Sequence, residues 1–211
     1  MRIALIHATT TAVQPIEEAF SSLDPQVRLL HFMDTGLLPL IQNAKGLTPG
    51  IINRFSRLVS LAADSDVQCI QLTCSAFNEV TDILQPLYSA KLFRSDEAML
   101  DEALEFNKVG LISTVNETPP ALAGYLKRKK PDIEIRSAVN TEAIQFLFKG
   151  ETGKHDMIVK EMIEGMEDKV EAIVLSQYSM AHIAKEVKGK VPVLAGPRAS
   201  AQRCLTYIRS L

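Results

Sequence analysis

The chain has 211 residues, with 23 Lys and Arg against 25 Asp and Glu, for a formal net charge of −2. Apolar residues make up 46% and charged residues 23%. These figures exclude wholesale disorder, and the near-balance of charge excludes a broad basic footprint for nucleic acid. No apolar run reaches the roughly 18 residues of a membrane-spanning helix. The start, MRIALIHATTTAV, carries one basic residue and reads as a buried strand rather than a leader. Three cysteines, at 69, 74 and 204, have neither disulfide-framework nor zinc spacing, so a reduced, cytoplasmic protein is expected.

In chain order, short apolar runs alternate with helical patterns. Residues 3–7 predict a strand followed by Thr9-Thr10-Thr11, and a helical pattern at 13–23 stops at Asp24-Pro25. A strand at 27–32 leads to the turn Asp34-Thr35-Gly36, and a helix at 49–63 leads to a strand at 67–73. Ser95 or Asp96 is placed to cap a helix at 97–106. There follow a strand at 108–114, a helix at 119–129, a strand at 133–138 and helices across 141–166. Strands at 172–177 and 191–194 and a last helix at 199–210 complete the chain. Short buried runs separated by helices of 10–15 residues predict an α/β fold whose parallel sheets are covered on both faces.

The chain also repeats itself. At an offset of 106, Arg2-Ile3-Ala4-Leu5-Ile6 lies over Lys108-Val109-Gly110-Leu111-Ile112, and Pro25 lies over Pro131. At an offset of 103, the segment from Val67 to Cys74 lies over the segment from Val170 to Gln177. Two matches in the same order point to duplication. The expectation is two pseudo-symmetric lobes, each a mainly parallel sheet flanked by helices, facing each other across a cleft. Residues 1–93 with 190–211 form lobe 1, which carries Cys74, and 94–189 form lobe 2, which carries Gln177. The C-terminal strand and helix both return to lobe 1 in this reading.

In such sheets, ligands sit beyond the carboxyl ends of the strands. Four turns fall there: His7-Ala8-Thr9, Thr73-Cys74-Ser75, Thr114-Val115-Asn116 and Ser176-Gln177-Tyr178-Ser179. They are rich in small hydroxyl residues and contain no Lys or Arg, a composition suited to holding a carboxylate through hydroxyl and backbone donors. Cys74 ends an apolar strand and precedes an expected helix start with Ser75 as N-cap, where a thiol becomes a nucleophile or a proton carrier. Cys69, in mid-strand, and Cys204, in the last helix, read as core.

A Thr73-Cys74-Ser75 turn after an apolar strand, within a duplicated α/β chain, resembles the aspartate/glutamate racemase superfamily. That group works without pyridoxal phosphate and includes hydantoin racemases, maleate isomerases and arylmalonate decarboxylases. The resemblance covers nearly the whole chain in element order. It implies a small carboxylate substrate, Cys74 as acid/base or nucleophile, and no organic cofactor or metal. It also implies substrate contacts from His7, Thr9, Thr73, Ser75, Thr114, Asn116, Gln177, Tyr178 and Ser179. Dimers are common in such families, so a homodimer is compatible with it, with no nucleic-acid or membrane partner. Racemases of this type use one cysteine from each lobe, because inversion needs a proton group on each face of the α-carbon. Here the second position holds Gln177, which neither gives nor takes a proton near neutral pH. The chain therefore resembles an atypical member with only the first cysteine. Three readings stand: an isomerase with another second acid (His7, Tyr178 or His182), a one-cysteine decarboxylase, and a carboxylate-binding protein without turnover.

The remaining signals are structural. His31 and His155 read as scaffold or surface, and His182 as one helical turn beyond the site. Lys127-Arg128-Lys129-Lys130 complements a helix C-terminus. Gly150-Glu151-Thr152-Gly153-Lys154 lacks phosphate-loop spacing. Asn116-Glu117-Thr118 is a glycosylation sequon by letter alone.

Overall fold

The computed structural model describes residues 1–116 and 118–211; Glu117, in the middle of the sequon, lies outside the described residues. The chain divides into two units, Met1–Ser95 with Pro197–Leu211, and Asp96–Gly196. Among the described residues no helix is long and apolar enough to cross a membrane.

The first unit runs β1 (Arg2–His7), α1 (Val13–Leu23), β2 (Arg28–Met33), α2 (Leu37–Ala44), α3 (Pro49–Ala63), β3 (Cys69–Leu72), α4 (Val80–Leu84) and β4 (Lys91–Phe93). Its strands are all parallel, in the order β2-β1-β3-β4. The central strands β1 and β3 are buried almost throughout because helices cover both faces, and the one polar side chain inside β3, Gln71, is hydrogen-bonded. Helix α3 shows how local sequence sets an element. Pro49 opens it with a preset φ, and the Thr48 hydroxyl accepts the Ile51 amide at 3.4 Å. Ile51, Phe55, Val59 and Ala62 then form one buried stripe, with Phe55 stacked on Phe77 at 4.9 Å between ring centres. Each large side chain in such a stripe contributes about 1.5–3 kcal/mol by leaving water.

The second unit runs α5 (Glu97–Ala103), β5 (Lys108–Ser113), α6 (Thr118–Lys129), β6 (Glu134–Val139), α7 (Thr141–Phe148), α8 (Thr152–Glu164), β7 (Ala172–Leu175), α9 (Ala181–Glu186) and β8 (Val193–Ala195). Its order, β6-β5-β7-β8, is again all parallel. The sequence repeat is thus a repeat of structure. Ile3 pairs with Cys69 and Val109 with Ala172, and the register runs in step to Ile6–Leu72 and Ile112–Leu175. Gly110 is needed in β5 because a Cβ there would stand 2.1 Å from the Met166 sulfur.

One expectation is corrected. The C-terminal strand does not return to lobe 1; β8 completes the second sheet, with Ile173 donating to the Pro192 carbonyl at 2.9 Å. A three-residue strand takes the nearest open edge, and that edge is β7. Only α10 (Gly196–Arg209) joins the first unit. There Tyr207 meets Phe93 edge-on at 5.4 Å, Ser200 donates to the Ser95 carbonyl, and Arg209 pairs with Asp24 at 3.0 Å. Cys204 is buried and donates to Gln71 Oε1 at 3.3 Å, and burial raises its pKa. Cys69 is equally buried, and both cysteines are core residues. The short strand β4 and helix α2 carried no distinct signal in the sequence.

Candidate active site

The carboxyl ends of the strands position the expected residues, unit by unit. In the first unit the chain leaves β3 through Thr73, whose amide and hydroxyl both lie 3.1 Å from the Ile6 carbonyl of β1. This clamp fastens the strand end that carries Cys74. Cys74 is extended (φ −133°, ψ 118°), half-buried and outside any disulfide. The expected helix start is absent. A single turn, Ser75–Phe77, follows, closed by the Phe77 amide on the Cys74 carbonyl at 3.2 Å, and α4 begins only at Val80. Ser75 is therefore not a helix N-cap; Cys74 itself stands immediately before the tight turn.

His7, at the end of β1, is fully buried. Its Nδ1 lies 2.9 Å from Thr73 Oγ1 and its Nε2 lies 3.1 Å from His31 Nδ1. Burial and then the His31 charge lower its pKa to about 4. Expected as a substrate contact, His7 instead has both nitrogens engaged with protein partners. Thr9 is half-buried and shares a hydrogen bond with Thr11 at 3.1 Å. Sequence reasoning passed over Arg54 at this edge. It grips Asp34 with two hydrogen bonds of 2.5 and 2.8 Å, and Asp34 also accepts the Gly36 amide at 2.9 Å. The guanidinium holds the Asp34 carboxyl below its ordinary pKa.

The second unit repeats the design. Ser176 sends its amide (3.0 Å) and hydroxyl (2.6 Å) to the Ile112 carbonyl, as Thr73 does to Ile6. Gln177 follows with φ −117° and ψ 144°, and the Met180 amide closes the next turn on its carbonyl at 3.1 Å. Gln177 thus occupies in this unit the place of Cys74 in the other. Its Oε1 accepts the Thr114 amide at 3.0 Å and the Thr114 hydroxyl at 3.3 Å. Its Nε2 donates to Ser113 Oγ at 2.9 Å and to Thr118 Oγ1 at 3.4 Å. Thr114 is buried beneath it, Tyr178 is buried, Ser179 is half-buried and Asn116 is exposed.

A further cluster lies at the same end of this unit. Asp156 Oδ1 lies 2.7 Å from His155 Nδ1, and its Oδ2 lies 2.8 Å from His182 Nε2. Burial pushes the Asp156 pKa up, but the bonds from His155 and His182 outweigh it and hold the carboxyl low. His155, expected as scaffold or surface, is fully buried. The missed signal was its place in the stripe His155, Val159, Ile163 on α8.

Comparisons with known proteins agree with this fold. The fold matches an aspartate racemase homologue from Pyrococcus horikoshii with a TM-score of 0.79, at 15% identity over 100% of this chain and 99% of that one. It matches the aspartate racemase of Picrophilus torridus with a TM-score of 0.76, at 17% identity over 97% and 93%. It matches the Francisella tularensis glutamate racemase, solved with D-glutamate, with a TM-score of 0.74, at 17% identity over 99% and 81%. No curated protein matches the sequence. The model of the Asp/Glu/hydantoin racemase family matches residues 3–204. With two four-stranded parallel sheets and a match spanning nearly its whole length, the chain belongs to the Asp/Glu/hydantoin racemase family.

Proposed function

We propose that the chain is a cofactor-independent isomerase acting at the carbon next to a carboxylate of a small amino acid or dicarboxylate. The observation that carries this reading is the Cys74 thiol at the clamped end of β3, on a chain of the racemase family. A thiolate there removes the α-proton, leaving an enediolate; a second acid then delivers a proton to the opposite face to invert the carbon, whereas return of the proton by the Cys74 thiol itself gives exchange with retention. Hydroxyl and backbone donors of the turns beside it, among them Thr9 and Ser75, hold the carboxylate and stabilise the charge that develops on it. The D-glutamate of the Francisella enzyme is an example of the substrate class.

One observation favours a second reading, one-sided protonation after loss of CO2. Gln177 has all its amide groups bonded within its own unit and offers no titrating proton at the position equivalent to Cys74. In both readings Cys74 transfers the proton. Incubation with amino acids, hydantoins, malonates and 2-substituted diacids, followed by chiral chromatography and CO2 detection, separates them. Inverted product supports the isomerase, and CO2 with one enantiomeric product supports the decarboxylase. Ligand-raised melting temperature without any product overturns both and leaves a binding protein.

A further inference from the structure

The Thr73 clamp has a feature that its counterpart lacks. In the second unit the Ser176 hydroxyl has one acceptor, the Ile112 carbonyl at 2.6 Å. In the first, the single proton of the Thr73 hydroxyl has two within reach, the Ile6 carbonyl at 3.1 Å and His7 Nδ1 at 2.9 Å. His7 continues to His31 at 3.1 Å, and His31 Nε2 continues to Glu17 Oε1 at 3.2 Å. The two rings are nearly parallel (10°), with centres 5.2 Å apart. That separation is close to the N···N distance plus two ring radii, so the rings lie edge to edge in almost one plane, which is hydrogen-bond geometry. His7 is fully buried, whereas 28% of the His31 side chain and 50% of the Glu17 side chain are exposed. The file therefore runs from the Cys74-bearing strand end to solvent.

Proton counting leaves two arrangements. Glu17, ionised, only accepts, so His31 Nε2 donates to it. If His31 is neutral, its Nδ1 accepts from His7 Nε2, and His7 Nδ1 must accept the Thr73 hydroxyl proton. The Ile6 carbonyl then keeps only the Thr73 amide. If His31 takes one proton, its Nδ1 donates to His7, the His7 proton resides on Nδ1 and points at Thr73 Oγ1, and the Thr73 hydroxyl turns to the Ile6 carbonyl. The clamp then has both bonds. The added proton resides on His31 because burial keeps His7 neutral down to about pH 4. The groups facing His31 are Glu17 and Asp24 along α1 and its end, His7 on β1, and Arg209 of α10 through Asp24. All but Arg209 are acidic or neutral.

We propose that His7 and His31 are positioning residues whose protonation state loosens or fastens the strand end carrying Cys74. This rests on the reading of Cys74 as the proton-transfer group. The test has two arms on the full chain. Long-range 1H–15N spectra of the imidazoles are followed with pH; the proposal expects His7 to change from the Nε2–H to the Nδ1–H tautomer as His31 becomes charged. Alpha-deuterium exchange is then measured against pH for wild type and His31→Asn. One ionisation is expected to vanish from the kcat profile of the variant, with KM changed by less than about twofold. A His7 tautomer that stays constant while His31 titrates overturns the proposal, as does an unchanged kcat profile in His31→Asn. A tautomer change with no exchange by wild type sinks the catalytic reading of Cys74 instead and leaves the coupling of His31 to Thr73 in place.

Discussion

Acid should weaken the first unit through His7, and by a calculable amount. In the unfolded chain an imidazole takes its proton near pH 6.5. In the folded chain His7 takes it only at about 4, because burial and the His31 charge oppose it. Between these values the unfolded state holds more proton than the folded one, so stability falls as pH falls. The loss begins near pH 6.5 and is complete near pH 4. At about 1.4 kcal/mol per pH unit it reaches roughly 3 kcal/mol. Carboxylates such as Asp34 and Asp156, held low in the folded state, add to acid destabilisation with the same sign. The assay is therefore a difference: urea unfolding of wild type and His7→Asn at pH 7.0, 5.5 and 4.5, titration points chosen about the window above. His7→Asn keeps a polar group for Thr73 but cannot take the proton. Its stability is expected to start lower and then decline less steeply, so that the two converge by about 2–3 kcal/mol at the acid end. Parallel declines would refute the claim that His7 is held neutral by burial.

Three further outcomes follow from packing and hydrogen bonding. Gln177→Ala leaves the buried Thr114 amide and hydroxyl without their acceptor, and about 2–4 kcal/mol of stability is expected to be lost in urea; a loss under about 0.5 kcal/mol would show that water replaces the amide. Gly110→Ala drives a methyl into Met166 and should cost about 1–3 kcal/mol, with part regained in the double variant carrying Met166→Ala. Phe55→Ala removes one ring of the Phe55–Phe77 stack and should cost about 3–5 kcal/mol. An unchanged unfolding midpoint in either case contradicts the packing described.

What was legible in the sequence was local or repetitive. The helix expected at 49–63 is α3, whose Pro49 start and buried Ile51-Phe55-Val59-Ala62 stripe are both local features. The equivalence of Cys74 and Gln177 came from the offset of 103, which the β3 and β7 registers reproduce. What was hidden depends on pairing across the chain. The place of β8 depends on which sheet edge is open, which three residues cannot announce. The link from His7 to His31 requires the β1–β2 register, in which His7 lies opposite Met33 and reaches His31 diagonally. The burial of His155 depends on α8 lying against its sheet. The turn after Cys74 looked like a helix start because Ser75 has cap chemistry, yet the chain makes one tight turn before α4. The position of the candidate residues at strand ends was thus legible, and their hydrogen-bond partners were not.

The central claim is that Cys74 moves a proton at a carbon next to a carboxylate, and proton NMR in deuterated water tests it most directly. Wild type and Cys74→Ala are incubated with the same amino acids and diacids, and loss of the α-proton signal is followed. Exchange by wild type that falls at least about 100-fold in Cys74→Ala, with the variant still folded, is the predicted result. Equal exchange in both proteins, or none in either while ligands still bind, would contradict it.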